Sequence, residues 1–220
     1  MKSLSIKTKL YLISTYLLGL AVFVWHIYRI EIDQPALLIV LCVLASLALV
    51  LKVIGATDNS HYTFSLVVYG FSFVTLGLPG TLIVILVSNI VEWIWNNPKW
   101  YGQLFNIGNY FIAMWVASFT FLWISPGTSV NTWQAILAIL ISMSVFNVLN
   151  HLMVGIVVWL ARGENFQKSG IFDFFPLMLD FALLVFGASL SIVWQYNAFA
   201  ILLFTIPLYL VYSTLRVPAL

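Results

Sequence analysis

Long apolar runs, separated by short polar breaks, constrain this chain more than any other feature. Of its 220 residues, 63% are hydrophobic and only 7% are charged, and the mean hydropathy is +1.06. Because a soluble domain is about one quarter charged, this composition excludes both an ordinary soluble domain and a disordered chain. A helix that crosses a bilayer needs about 20 mostly apolar residues. The pattern therefore predicts an all-α, polytopic membrane helix bundle that forms a single transmembrane domain over residues 1–220.

The breaks between the apolar runs predict about eight transmembrane helices. Strong breaks occur at Asn96-Asn97-Pro98 and at Ser125-Pro126-Gly127. The sequence Gly77-Leu-Pro-Gly80 predicts a tight turn, so that the third and fourth spans form a hairpin. The predicted spans are residues 10–28, 36–55, 62–78, 81–95, 101–124, 132–161, 172–194 and 198–215. The connections are too short for a soluble domain, so any chemistry is expected among the helices.

Lysine and arginine are divided unevenly between the two sides that these spans define. With the N-terminus inside, only Arg29 of the nine basic residues falls outside. The other eight are Lys2, Lys7, Lys9, Lys52, Lys99, Arg162, Lys168 and Arg216. Because positive residues are retained on the cytoplasmic side of membranes, this division predicts eight spans with both termini in the cytoplasm.

Composition and motifs narrow the class of protein further. The net charge of +2 comes from the loops, so we expect no nucleic-acid partner. A single cysteine, Cys42, excludes a disulfide framework and a cysteine-based zinc site. No catalytic motif occurs, and the chain is therefore predicted not to be an enzyme. The sequence identifies no cofactor.

The polar residues inside the predicted spans are concentrated in spans four to seven. At about 1.5 Å per residue, they lie roughly 5–16 Å from the cytoplasmic ends of their helices. If those four spans pack together, the side chains line one polar chamber that opens toward the cytoplasm. The candidate ligand-binding residues are Asn89, Glu92, Asn106, Asn109, Asn147, Asn150, His151 and Asp180.

Asp180 is the most informative member of this set. A carboxylate near the bilayer centre costs about 2.5–3.5 kcal/mol, so intramembrane ionisable residues point to function. We expect Asp180 to accept charge or a proton, His151 to be its titratable partner, and the asparagines to donate hydrogen bonds. The alternative is that these polar residues join helices, each interaction contributing about 0.6 kcal/mol.

Short motifs in residues 60–220 resemble those of a bacterial family. They are Leu78-Pro79-Gly80, Lys99-Trp100, Leu104-Phe105-Asn106, Phe146-Asn147 with Asn150, and an exit segment from Pro207 to Leu220. The chain is similar in these motifs to the multi-spanning membrane sensor modules that precede HD-GYP phosphodiesterase or GGDEF cyclase domains. This resemblance implies a bacterial inner-membrane sensor, with a cytoplasmic signalling domain as the expected partner after Leu220.

Spans three to eight also resemble, more distantly, the substrate-binding subunits of vitamin transporters. Those subunits contact their coupling partner through an A-x-x-x-A pattern, and Ala113 and Ala117 have that spacing on span five.

These observations favour a membrane-embedded sensory or ligand-binding module of a bacterial signalling protein. The first alternative is a small-molecule transporter or its substrate-binding subunit, and the second is an intramembrane metalloenzyme. The expected partners are the lipid bilayer and a small molecule, ion or proton, and a homodimer is left open.

Overall fold

The computed structural model describes residues 4–28, 33–51, 53–54, 61–127, 132–163, 170–199 and 213. Within these ranges the chain forms an all-helical bundle with one very short antiparallel strand pair. The helices are α1 (Ile6–Ile27), α2 (Pro35–Val50), α3 (Ser65–Thr75), α4 (Gly77–Asn96), α5 (Trp100–Ile124), α6 (Trp133–Arg162) and α7 (Phe174–Tyr196). Strands β1 (Val53–Ile54) and β2 (His61–Tyr62) pair between α2 and α3, close to a predicted loop.

Five of these helices are long and apolar enough to cross a membrane, which makes this a multi-pass membrane protein. They are α1, α4, α5, α6 and α7, with 22, 20, 25, 30 and 23 residues. They coincide with the first and the fourth to seventh predicted spans. The last predicted span, residues 198–215, lies outside the described residues except for Ala198, Phe199 and Ser213.

The predicted second and third spans form shorter helices than the hydropathy pattern indicated. Helix α2 has 16 residues and α3 has 11. At about 1.5 Å per residue, α3 is roughly 16 Å long, about half the thickness of the hydrocarbon core. Helix α3 therefore ends well short of a complete crossing, although the apolar run that contains it is longer.

The hairpin between α3 and α4 turns earlier than the sequence predicted. Helix α3 ends at Thr75, and Gly77 adopts a positive φ of 66° that reverses the chain. Pro79 and Gly80, which were expected in the turn, belong to the first turn of α4. Proline is tolerated there because the first amide groups of a helix have no intrahelical acceptor.

Helices α4, α5 and α6 run in alternating directions, as expected of a chain that crosses a bilayer repeatedly. Helices α1 and α5 are parallel, since Tyr11 packs near Phe105 and Phe23 stacks on Phe111. Helices α5 and α6 are antiparallel neighbours, and the side chain of Gln134 near the start of α6 donates to the carbonyl of Ile124 at the end of α5. Helix α5 thus lies centrally, against α1, α4 and α6.

Glycine lets two pairs of helices approach until their backbones touch. A methyl group at Gly187 of α7 would collide with the backbone of Val67 on α3, and one at Gly70 would collide with that of Leu184. A Cβ at Gly19 of α1 would lie only 2.5 Å from the Cα of Gly108 on α5. These contacts fix α7 on α3 and α1 on α5.

The described basic residues gather at one end of the bundle, which we call the basic end: Lys7, Lys9, Lys99 and Arg162. The hydroxyl of Thr8 donates to the carbonyl of Leu160 at 2.8 Å, which joins the start of α1 to the end of α6. A groove whose walls include Leu4 and Tyr101 places the start of α5 at the same end. The tertiary structure therefore brings together charges that are up to 155 residues apart in the sequence.

Candidate functional site

Five of the eight predicted site residues lie where α5, α6 and α7 pack together. We call them the asparagine cluster: Asn109, Asn147, Asn150, His151 and Asp180. On the α5 side, the amide nitrogen of Asn109 donates to Oδ1 of Asn150 at 2.7 Å. Both side chains are buried. A hydrogen bond between side chains in apolar surroundings holds α5 and α6 in register.

The contacts between α6 and α7 centre on an ionisable pair. Nε2 of His151 lies 3.6 Å from Oδ2 of Asp180, which is within ion-pair distance. One helical turn away, the amide nitrogen of Asn147 donates to the carbonyl of Leu177 at 2.8 Å. The Asp180 side chain keeps 20% of its surface exposed in the described structure, so this pair is less enclosed than the asparagines.

The hydrogen bond made by Nδ1 of His151 determines whether Nε2 presents a lone pair or a proton to Asp180. Nδ1 of His151 lies 3.0 Å from the carbonyl oxygen of Asn147. A carbonyl oxygen only accepts, so Nδ1 carries a proton and a neutral ring presents the lone pair of Nε2 to Asp180. An ionised carboxylate would be repelled by that lone pair. The contact is therefore attractive only when one additional proton resides on Nε2 or on Asp180.

Two amide oxygens in the cluster lack a donor. Oδ1 of Asn109 and Oδ1 of Asn147 are buried and have no hydrogen-bond partner among the described residues. Leaving a buried acceptor unsatisfied costs about 1–3 kcal/mol. The amide nitrogens of both residues are already engaged. Through these two oxygen atoms the cluster offers acceptor capacity to a further molecule.

Asn89 and Glu92 belong to a second polar group, which we call the Gln103 network: Tyr69, Ser88, Asn89, Glu92 and Gln103. The amide nitrogen of Gln103 donates to the backbone carbonyl of Asn89 at 2.8 Å and to Oε2 of Glu92 at 3.1 Å. The amide nitrogen of Asn89 donates to the carbonyl of Ile85 at 2.8 Å and lies 3.3 Å from the hydroxyl of Tyr69. These contacts join α3, α4 and α5 and leave the network internally bonded.

Sequence reasoning missed three members of this network. Tyr69 was counted among apolar residues, although its hydroxyl is 2.8 Å from that of Ser88. Gln103 lies near the start of α5, where a polar residue is normally solvated. Its spacing of three from Asn106 was not a usable signal, because residues three apart are expected to share a helix face and Asn106 joins neither polar group. Gln103 is instead almost fully buried, at 2% exposure.

Tyr110 lies between the two polar groups. Its ring is edge-on to that of Tyr69, with centroids 5.7 Å apart, and stacks on that of Phe146 at 6.0 Å. Tyr110 therefore lies between Tyr69 of the Gln103 network and Phe146, the residue that precedes Asn147 of the asparagine cluster.

Asn106 does not join either group. On a helical wheel it lies only about 60° from Asn109. The structure nevertheless leaves Asn106 exposed, in a groove where α1, α5 and α6 stand apart at the basic end. The prediction that Asn106 lines the chamber is thus corrected, because a helical wheel does not show where neighbouring helices diverge.

No group of three or more histidine, cysteine, aspartate or glutamate side chains capable of holding a metal occurs in the part of the chain that the structure describes. His151 and Asp180 are close together, whereas Glu92 belongs to the Gln103 network. The described geometry gives the metalloenzyme alternative no support.

Comparisons with known proteins supply no relative. No protein-family model, no curated protein and no solved structure matches the chain. The resemblances to sensor modules and to vitamin-transporter subunits remain expectations. The A-x-x-x-A pattern of the second resemblance faces inward, because Ala113 and Ala117 are completely buried in the bundle. Those two residues therefore offer no surface to a coupling subunit.

Proposed function

We propose that this protein is a membrane-embedded ligand-binding module of the sensory class. In this proposal the chain crosses a bacterial inner membrane eight times, with the basic end and both termini in the cytoplasm. The gathering of Lys7, Lys9, Lys99 and Arg162 at one end supports that orientation.

One observation carries the proposal: an ionisable pair spans α6 and α7 beside buried acceptors that lack donors. His151 and Asp180 approach to 3.6 Å, while Oδ1 of Asn109 and Oδ1 of Asn147 have no partner among the described residues. Purely structural polar contacts leave few such atoms unsatisfied. A site that binds a ligand needs them free.

The chemistry of these atoms indicates the kind of ligand. Acceptor oxygens and a carboxylate bind donors, so the expected ligand is a proton, a cation or a small molecule that carries an ammonium or another N–H or O–H group. Asp180 accepts the charge and His151 shares its proton. The asparagines, which the sequence predicted to be donors, would accept through their free Oδ1 atoms.

Ligand binding would act on the position of α7. Helix α7 contacts α6 through the asparagine cluster and contacts α3 through Gly187. A ligand that bridges His151 and Asp180 changes how closely α6 and α7 pack. That displacement would be transmitted toward the C-terminal residues, where the resemblance implies a signalling domain.

The test is native mass spectrometry of the gently solubilised protein beside its Asp180→Asn variant. We expect a discrete bound species on the wild type that is lost in the variant, because the carboxylate charge is removed while the shape is kept. Asp173→Asn is the matched control, since Asp173 is exposed near the start of the same helix. Equal occupancy in all three proteins would contradict the proposal, and an unliganded wild type would exclude a cation or small molecule and leave the proton as the ligand.

A transporter is the principal alternative, and a second measurement separates it from a sensor. Wild-type protein in sealed proteoliposomes is given the ligand identified by mass. A sensor binds this ligand without accumulating it, whereas uptake abolished by Asp180→Asn would assign the site to transport.

A further inference from the structure

A second candidate site lies apart from the asparagine cluster, in an open groove between α1, α5 and α6. The groove encloses about 250 Å³ near the basic end. Its walls are mainly apolar: Leu12, Phe105, Val154, Val157, Val158 and Ala161. Val154 to Ala161 extend along α6 for about 10 Å, in the direction of the bilayer interior. The shape and the apolar walls suit one hydrocarbon chain.

The end of the groove nearest the surface is polar and positively charged. Arg162, the last residue of α6, lines it, and its guanidinium has no carboxylate partner among the described residues. Asn106 lines it too, exposed and without a hydrogen-bond partner in the described structure. Lys7 and Lys9 flank Thr8, a third polar residue at the groove. The cations at this end favour a ligand with a negative head.

The depths of Arg162 and Asn106 match those of the phosphate and ester groups of a phospholipid. An arginine at the end of a spanning helix lies at the level of the phosphate groups. Asn106, nearly two turns inside α5, lies about 9 Å from the start of the helix, at the depth of the ester linkages. Basic pockets between transmembrane helices on the cytoplasmic side bind anionic head groups. Bulk lipid contacts every outward face of the bundle, but this groove joins a cation that has no carboxylate partner among the described residues to a recess of the size of an acyl chain.

We propose that the groove is a binding site for one anionic phospholipid. The phosphate contacts Arg162, the ester region contacts Asn106, and one acyl chain lies against Val154, Val157 and Val158. This site is independent of the ligand proposed for the asparagine cluster.

The first test compares two lipids on delipidated protein in detergent. Phosphatidylglycerol and phosphatidylcholine with identical acyl chains are titrated separately, and bound lipid is counted by native mass spectrometry. We expect tighter binding of phosphatidylglycerol, and we expect Arg162→Ala to weaken that binding about fivefold. Arg162→Lys is the control that keeps the charge and most of the affinity. Equal binding of the two lipids by the wild type would overturn the proposal.

The second test fills the groove without changing its charge. Val158→Trp places an indole in the space for the acyl chain, and we expect it to reduce the binding of both lipids severalfold. Val148→Trp is the matched control, because Val148 is 52% exposed on the same helix and does not line the groove. Binding of phosphatidylglycerol that is unchanged in Val158→Trp would show that the groove is not where the lipid sits.

Discussion

The role of a polar residue in this bundle depends on which residues it contacts and not only on its residue type. Gln103 and Asn106 lie three residues apart on α5, yet Gln103 is bonded to Asn89 and Glu92 whereas Asn106 is exposed in the groove between α1, α5 and α6. The protonation of His151 likewise depends on a partner, because the carbonyl of Asn147 determines which ring nitrogen carries the proton. For individual residues, the sequence identified candidate polar residues, and the structure showed which of them contact one another.

Replacing Gln103 by leucine should destabilise the protein. The substitution leaves the carboxylate of Glu92 and the carbonyl of Asn89 without the donor that Gln103 provides. We expect a loss of about 1–3 kcal/mol in the free energy of unfolding, measured by denaturant titration in detergent. Asn106→Leu is the control on the same helix and should change stability little. If both variants were equally stable, the Gln103 network would contribute nothing to the fold.

Among the elements, α7 depends on a close backbone contact with α3. Its Gly187 meets the backbone of Val67 on the short helix α3, and Gly70 of α3 meets the backbone of Leu184 in return. Beyond this crossing the rings of Phe71 and Trp194 lie 6.1 Å apart. A helix of 11 residues is thus anchored by α7 as well as by its hairpin partner α4.

Gly187→Ala should loosen the pair formed by α3 and α7. Its methyl group would overlap backbone atoms of Val67, which cannot change rotamer, so the helices must separate. We expect a loss of about 1–3 kcal/mol in the free energy of unfolding. Ser189→Ala, at an exposed position on the same helix, should have a small effect by the same measurement. Equal losses in both variants would contradict the close contact.

For the whole molecule, the alternating directions of α4, α5 and α6 and the single end at which the described basic residues gather agree with a chain that crosses a membrane repeatedly. The starts of α1 and α5 lie with the end of α6. The end of α5 and the start of α6 lie at the opposite end, where the side chain of Gln134 donates to the carbonyl of Ile124. Labels placed at one position at each end of the bundle therefore show which end faces the cytoplasm.

Labelling of single cysteines in intact cells should confirm that the basic end is cytoplasmic. In a Cys42→Ala background, Asn96→Cys lies at the basic end and Trp133→Cys at the other, both at exposed positions. A membrane-impermeant maleimide should label position 133 directly and position 96 only after the cells are opened, because positive residues stay inside. The reverse pattern would invert the proposed orientation.

The sequence by itself determined the properties that depend on local composition. The length of the apolar runs predicted the membrane-spanning class and the positions of five helices, α1, α4, α5, α6 and α7. This was possible because each polar residue placed in lipid adds its own free-energy cost, which can be read from the local sequence. Only the tertiary structure decided that α3 is short, that Asn109 meets Asn150, and that Asn106 opens onto a groove. Those outcomes depend on lateral packing, where backbone contacts at glycines and the divergence of helix ends are set by residues far apart in the chain.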